Sequence, residues 1–289
     1  TTQPTMTQLQ PVEDNSNPLS IVRGNPNLHP SFSNSLMTMW FNNNREKFSS
    51  IHANLDLTYN QNNIVNATWI SDNGVTYKVP MNNELGTFRA NGRLMFNSPI
   101  KKSKFSVMSH TDASYQNSMS FVGKAGIDGE NPESYLDINN FDPNRYTALS
   151  ASERFRFTYR DDHVELTLGG RVRYSQSWYQ MTTTEPNAAF TNTVDGSVNY
   201  TTNNKWSFVT DGRYTFYKGY NEGYNTPSFV WNAEINKQIF KGRATVALRC
   251  WDILNQSRNT YRTTAENDYQ DVSNNTLGRY IILSLPYRF

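Results

Sequence analysis

The chain has 289 residues, a hydrophobic fraction of 36%, a mean hydropathy of −0.71 and an aromatic content of 13%. That is too little apolar content for the core of a soluble domain of this length, and with no run of about 18 apolar residues a membrane-spanning helix is excluded. A formal net charge of +2, without a basic cluster interleaved with aromatics on a helix, argues against nucleic acid as a partner.

What remains is a polar chain rich in aromatics, the composition of strands with one greasy and one wet face. Cys250 is the only cysteine, so no disulfide forms within the chain, and a small apolar role is expected for it. The sequence starts Thr1-Thr2-Gln3-Pro4 without a signal peptide, so the reading as an exported protein carries the expectation of a natural N-terminal part upstream.

Residues 1–30 read as a loop segment. From Ser31 onward, apolar residues recur at every second position in block after block, the signature of half-buried strands. Ile51, Ala53, Leu55, Leu57 and Tyr59 alternate with His52, Asn54, Asp56 and Thr58; Val164, Leu166, Leu168, Val172 and Tyr174 alternate with Glu165, Thr167, Arg171 and Arg173. Strands are expected near 31–42, 47–60, 86–97, 104–122, 149–160, 163–180, 193–202, 205–218, 228–239, 243–254 and 277–289, about eleven in all. An extra hairpin is expected within 61–85, with Ser71-Asp72-Asn73-Gly74 at its tip.

The connections alternate too. Asn43 to Glu46, Asp161-Asp162, Asn203-Asn204 and Lys241-Gly242 are tight turns of residues that tolerate left-handed backbone or bond their own chain. Between them lie longer links near 123–148, 181–192, 219–227 and 255–276. Short turns at one end and long loops at the other are the asymmetry of outer-membrane barrels, whose short turns are periplasmic. An odd strand number does not close an ordinary bacterial barrel, so the expected fold is all-β. It is an antiparallel meander of about 11 transmembrane strands forming the C-terminal half of a larger barrel, 31–289 contributing the strands.

The strands place one set of side chains on a polar, lumen-facing side: Arg89, Arg93, Arg154, Arg156, Arg171, Arg173 and Arg213, together with Glu165, Asp211 and Glu234. An ion-paired wall is the plain reading of that set. A wall that contacts an inner domain or lines a solute path is the functional one. In the outer loops Phe190, Tyr220 and Tyr224 offer stacking faces for a ligand. His29, His52, His110 and His163 are dispersed, without ligand spacing, and no nucleophile motif or phosphate-cradling loop is present, so neither an enzyme nor a cofactor or transition-metal site is expected. The acidic loop with Asp128, Glu130, Glu133, Asp137 and Asp142 reads as a solvated surface, calcium being the alternative.

Four runs carry a resemblance. They are Gln8-Leu-Gln-Pro-Val-Glu-Asp-Asn-Ser-Asn-Pro-Leu19, Gly24-Asn-Pro-Asn-Leu-His-Pro30, Trp251-Asp-Ile-Leu-Asn-Gln256 and the closing Leu277 to Phe289. Together they resemble the C-terminal barrel region of TonB-dependent outer-membrane receptors of the Bacteroidetes type, over nearly the whole chain. In the closing run Leu283, Leu285, Tyr287 and Phe289 share one face, and the terminal aromatic is similar to the signal read by barrel-assembly machinery. The resemblance implies a bacterial outer-membrane location and a parent barrel of about 22 strands filled by a plug. It implies import of a nutrient such as a glycan, peptide or metal chelate. The implied partners are lipid, the plug, the rest of the barrel, an energy-transducing inner-membrane complex reached through the N-terminal part, and a surface lipoprotein. The plug and the energy-coupling motif lie outside this sequence. Two other readings compete: a passive structural or adhesive outer-membrane barrel, and a soluble carbohydrate-binding β-sandwich.

Overall fold

The structure, a computed structural model, describes residues 1–101, 103–181, 188–264 and 269–287. The first segment holds a one-turn helix α1 (Met6–Leu9) and two short strands, β1 (Glu13–Asp14) and β2 (Ser20–Arg23). Then follow β3 (Phe32–Asn44), β4 (Ser49–Gln61), β5 (Asn63–Ile70), β6 (Thr76–Asn83), β7 (Thr87–Pro99) and β8 (Phe105–Gly123). A second one-turn helix, α2 (Pro132–Tyr135), precedes β9 (Phe141–Arg160), β10 (Val164–Tyr179), β11 (Ala189–Thr201), β12 (Trp206–Lys218), β13 (Ser228–Ile239) and β14 (Ala244–Trp251). The last strands are β15 (Arg258–Thr264), β16 (Tyr269–Asn275) and β17 (Tyr280–Ser284).

Eleven of these form a continuous antiparallel meander, β3-β4-β7-β8-β9-β10-β11-β12-β13-β14-β17. Each expected strand is present. The main differences are β9, which starts at Phe141 rather than near 149 because its outer half pairs with a long β8 up to Gly123↔Phe141, and β17, which spans Tyr280–Ser284 rather than 277–289. Among the described residues β3 pairs in the sheet only with β4 and β17 only with β14, so the two ends of the meander do not meet.

Strand ends are set by turn chemistry. At one end the links are short, and the left-handed backbone they need falls on Phe48, Lys101, Lys205 and Lys241, with Gly242 following at φ 89°. At the other end lie 124–140, 180–188, 219–227 and 252–279. The last contains the hairpin β15–β16, which the sequence does not announce because 258–264 lacks apolar alternation.

The expected extension between β4 and β7 is the hairpin β5–β6, closed at Ser71–Gly74. It lies against the outer part of β8 through a short parallel pairing, Ala67↔Phe121 and Thr68↔Val122. There Val65, Ala67, Trp69, Val79, Met81, Met119, Phe121, Tyr135 and Phe141 make the main buried apolar cluster, so the hydrophobic core sits in the long-loop region and not inside the meander. Trp69 stacks on Tyr77 and Tyr135 at 5.0 and 6.0 Å between ring centres.

Residues 1–30 are not irregular. β2 runs parallel to β6, Thr2 and Ser31 exchange backbone hydrogen bonds, Asn25 Nδ2 donates to the Pro80 carbonyl at 2.9 Å, and Arg23 lies over the rings of Tyr77 and Tyr135 while pairing with Glu13. In the acidic loop 124–142 the three aspartates have local partners. Asp128 and Asp137 accept backbone N–H groups two residues on, and Asp142 pairs with Lys124 at 3.6 Å.

Candidate functional site

Register decides which side chains share a face, because a one-residue slip exchanges the two sides of a strand. On the convex side Leu168 sits between Phe157 and Gly196, and Val194 sits between Gly170 and Tyr214. Leu168, Val172, Val194 and Phe155 are each at least half exposed there. Fully burying such a side chain is worth roughly 1.5–3 kcal/mol, so a row of them left half exposed suits an apolar solvent. A polar exception on this side is Glu153, opposite Val172, whose carboxylate accepts the hydroxyls of Ser109 and Thr111. Cys250 lies half-buried on this same side, opposite Ile281.

The concave side is polar. A single hollow of about 1270 Å³ runs along it from Asp56 on β4 to Trp251 on β14. Of the sequence-derived set, Arg93, Arg154, Arg156, Arg171, Arg173, Arg213 and Asp211 line this hollow. Arg89, Glu165 and Glu234 lie outside that lining. Arg89 donates to Gln116 at 3.0 Å, Glu165 accepts from Arg160 at 2.9 Å beside the short turn, and Glu234 pairs with Arg249 at 3.6 Å.

The wall divides into a paired and an unpaired part. Arg93 is held by Asp112 at 3.0 Å, and His110 Nε2 reaches the same carboxylate at 3.2 Å. Arg156 has a weak partner in Asp195 at 3.9 Å. Arg154, Arg171, Arg173 and Arg213 form no ion pair among the described residues, although Arg154 and Arg171 stand directly opposite each other on β9 and β10. An ion-paired wall therefore holds for the rim of the hollow and not for its centre.

The outer end of the hollow is formed by the β15–β16 hairpin, whose Arg258, Thr260, Tyr261 and Arg262 join the lining. Tyr220 faces it but is not free. Its hydroxyl shares a hydrogen bond with Thr191 Oγ1 at 2.7 Å, its ring meets Tyr217 edge-on, and Arg262 lies over it. Tyr224 is half-buried in the tight turn that starts at Asn221. Phe190 belongs to β11, not to a loop, and contacts Tyr174 at 5.2 Å on the convex side. Asp195 and the hairpin were not singled out from sequence. Asp195 was in principle legible, since it falls on the polar parity of β11, whereas the hairpin carries no periodic signal.

Leu283 and Leu285 are exposed, Leu283 opposite Leu248, and Tyr287 makes an isolated bridge with Ala244. Phe289 lies outside the described residues. The run Trp251 to Gln256 has a structural task. Asp252 is fully buried with φ 48°, and its carboxylate accepts the N–H groups of Gln256 and Ser257 at 3.0 and 2.8 Å, closing the turn after β14. Among the described residues no group of three or more His, Cys, Asp or Glu side chains converges as a metal site would require.

No curated protein and no solved structure matches the chain. A family model does match, described as the outer membrane protein beta-barrel family, over residues 1–184 and again over 127–287. A greasy convex side, a wet concave side, long links at one end and tight turns at the other are what that description requires of strands that cross lipid. The chain belongs to the outer membrane protein beta-barrel family, and its place is the bacterial outer membrane.

Proposed function

We propose that this chain is the C-terminal barrel half of a TonB-dependent receptor that imports a nutrient across the outer membrane. The observation that carries the reading is β3. Its convex side presents Leu36 and Trp40 to lipid, yet its concave side presents Met37, Met39 and Phe41, which are 66%, 71% and 69% exposed. A water-filled lumen has no use for three large apolar side chains in a row. An inner domain packed against that wall has one, and a plug of the parent protein is that domain. The unpaired edges of β3 and β17 support the same view, since open edges do not persist in hydrocarbon and further strands of the parent would close them.

In this reading the tight turns face the periplasm, and the β5–β6 extension and the β15–β16 hairpin stand outside as the receiving surface. The energy comes from an inner-membrane complex acting through the N-terminal part, and a surface lipoprotein capping the long loops is a further partner. A passive structural or adhesive barrel is the second reading. It is favoured by the rigid, self-bonded state of Tyr220, which leaves less free loop surface for capture than the sequence suggests.

Growth tests separate the two. Cells lacking the full-length gene, and cells lacking the energy-transducing protein, are grown on glycans, peptides or metal chelates as the limiting nutrient. Import predicts the same growth defect on one of these classes in both strains. Normal growth on all of them in both strains favours the structural reading.

A further inference from the structure

The centre of the concave wall carries more positive charge than the chain neutralises. Around this centre several arginines have carboxylate partners: Arg93 with Asp112, Arg249 with Glu234, and Arg262 with Asp271 in the hairpin, while Arg89 donates to Gln116. At the centre Arg154, Arg156, Arg171, Arg173 and Arg213 share three nearby carboxylates: Asp195, which is opposite Arg213 on the neighbouring strand, Asp211, and Asp112, which is already bound to Arg93 but also faces Arg171. Asp195 stands 3.9 Å from Arg156, and Asp211 already accepts a 2.7 Å hydrogen bond from Asn232. Unpaired arginines are most concentrated at this centre.

Register makes the concentration sharper. Arg154 and Arg171 are cross-strand partners, and Arg173 is opposite Ser152, so three guanidinium groups converge on one patch of two neighbouring strands. Like charges placed directly opposite are unfavourable on a sheet, and a chain that merely needed solubility would interleave signs. Neutral donors surround the patch. The hydroxyl of Ser152 accepts from Arg171 Nη2 at 3.4 Å and keeps its own proton to give, while Thr193 is the partner of Arg171 on β11. Guanidinium forks with hydroxyls beside them match the geometry of a carboxylate, sulfate or phosphate group, each fork able to give two parallel hydrogen bonds.

We propose that Arg154, Arg156, Arg171 and Arg173, with Arg213 beside them, form an oxyanion-binding site in the lumen that takes the acidic group of a negatively charged solute. The proposal rests on the concave side being a solute path, and it names acidic solutes as the class. It needs no energy input, so binding is measured separately from import. Arg258 in the hairpin lines the outer end of the same hollow and gives an approaching anion its first positive contact.

The test uses the purified full-length protein in detergent at low ionic strength, with inorganic phosphate as the probe and calorimetric titration as the readout. Saturable binding is expected. Arg154→Gln combined with Arg171→Gln should weaken it by about tenfold or more, the scale of losing charged hydrogen bonds. Arg93→Gln, which removes an arginine already paired, should change it little. Should the double variant fail to fold, Thr193→Glu places a carboxylate beside Arg171 and is expected to abolish phosphate binding while the barrel still assembles. No saturable binding in the folded full-length protein would overturn the proposal and give the cluster to acidic side chains elsewhere in the parent. Binding that survives both the double variant and Thr193→Glu would overturn it too. Neither failure touches import, which is read from growth.

Discussion

Arg262 and Asp271 stand directly opposite each other on β15 and β16 and form a two-pronged ion pair, Nε to Oδ1 at 2.6 Å and Nη2 to Oδ2 at 2.9 Å, with side chains 4% and 0% exposed. Around it the Arg262 guanidinium lies over Tyr269 and Tyr220 and donates to the Gly219 carbonyl, while Asp271 accepts the Asn221 N–H at 2.7 Å. One buried pair thus ties the hairpin to the neighbouring long link 219–227. Removing one partner of such a pair strands the other charge, which costs roughly 3–5 kcal/mol.

Asp271→Ala should therefore release the hairpin without unfolding the strands below it. Limited proteolysis of the assembled protein is expected to cut within 258–275 far faster in the variant, with heat-modifiable gel migration retained. Equal cutting of variant and wild type would mean that the pair does not hold the hairpin.

A second lock is at Gly24. A Cβ there would lie 1.9 Å from the Gln10 carbonyl oxygen, and that atom is backbone, so it has little room to yield. Next to it Asn25 donates its N–H to the Gln8 carbonyl and binds Pro80 through its side chain. Gly24→Ala should detach residues 1–23 from the β5–β6 extension, read as faster amide hydrogen exchange at Ile21 and Val22, while β9 to β12 exchange as before. Unchanged exchange at those residues would contradict the tight fit.

Membrane orientation is tested by two neighbours on β10. Leu168 faces outward and is 59% exposed, and Thr167 faces the concave side. Arg on the lipid side near mid-depth costs about 2–4 kcal/mol, whereas inward it meets water. Leu168→Arg should lower the folded amount in outer-membrane fractions, and Thr167→Arg should leave it near wild type. Equal loss or equal assembly would put the register or the outward side in error.

These three sites differ in how far they could be read from residues alone. The outward placement of Leu168 follows from period-two alternation, and so do the strand positions from 31 onward, because lipid on one side and water on the other imprint polarity on every residue. The polar set from Arg89 to Arg213 was legible for the same reason. Which arginines are paired was not, since Asp112 meets Arg93 only at one register of the β7–β8 pairing and Asp195 meets Arg156 across the intervening β10. The stitched segment 1–30 and the β15–β16 hairpin lie outside that alternation. They are held by tertiary contacts such as Asn25 with Pro80 and Arg262 with Asp271, each joining residues that no local pattern connects. Phe190 reads as a loop residue because a Pro- and Asn-bearing stretch precedes it, yet the pairing of β11 extends back to Ala189.

The proposal above has further strands of a larger barrel completing the open edges of β3 and β17. Disulfide trapping tests it directly. With Cys250→Ser as background, Thr38→Cys on β3 and Leu283→Cys on β17 are combined in the full-length protein and in residues 1–289 inserted into lipid, under mild oxidation. No intramolecular disulfide is expected in the full-length barrel, and no closed, conducting monomer from residues 1–289. A disulfide between the two strands in both forms, with stable single-channel conductance from the short one, would contradict it and make these eleven strands a complete barrel.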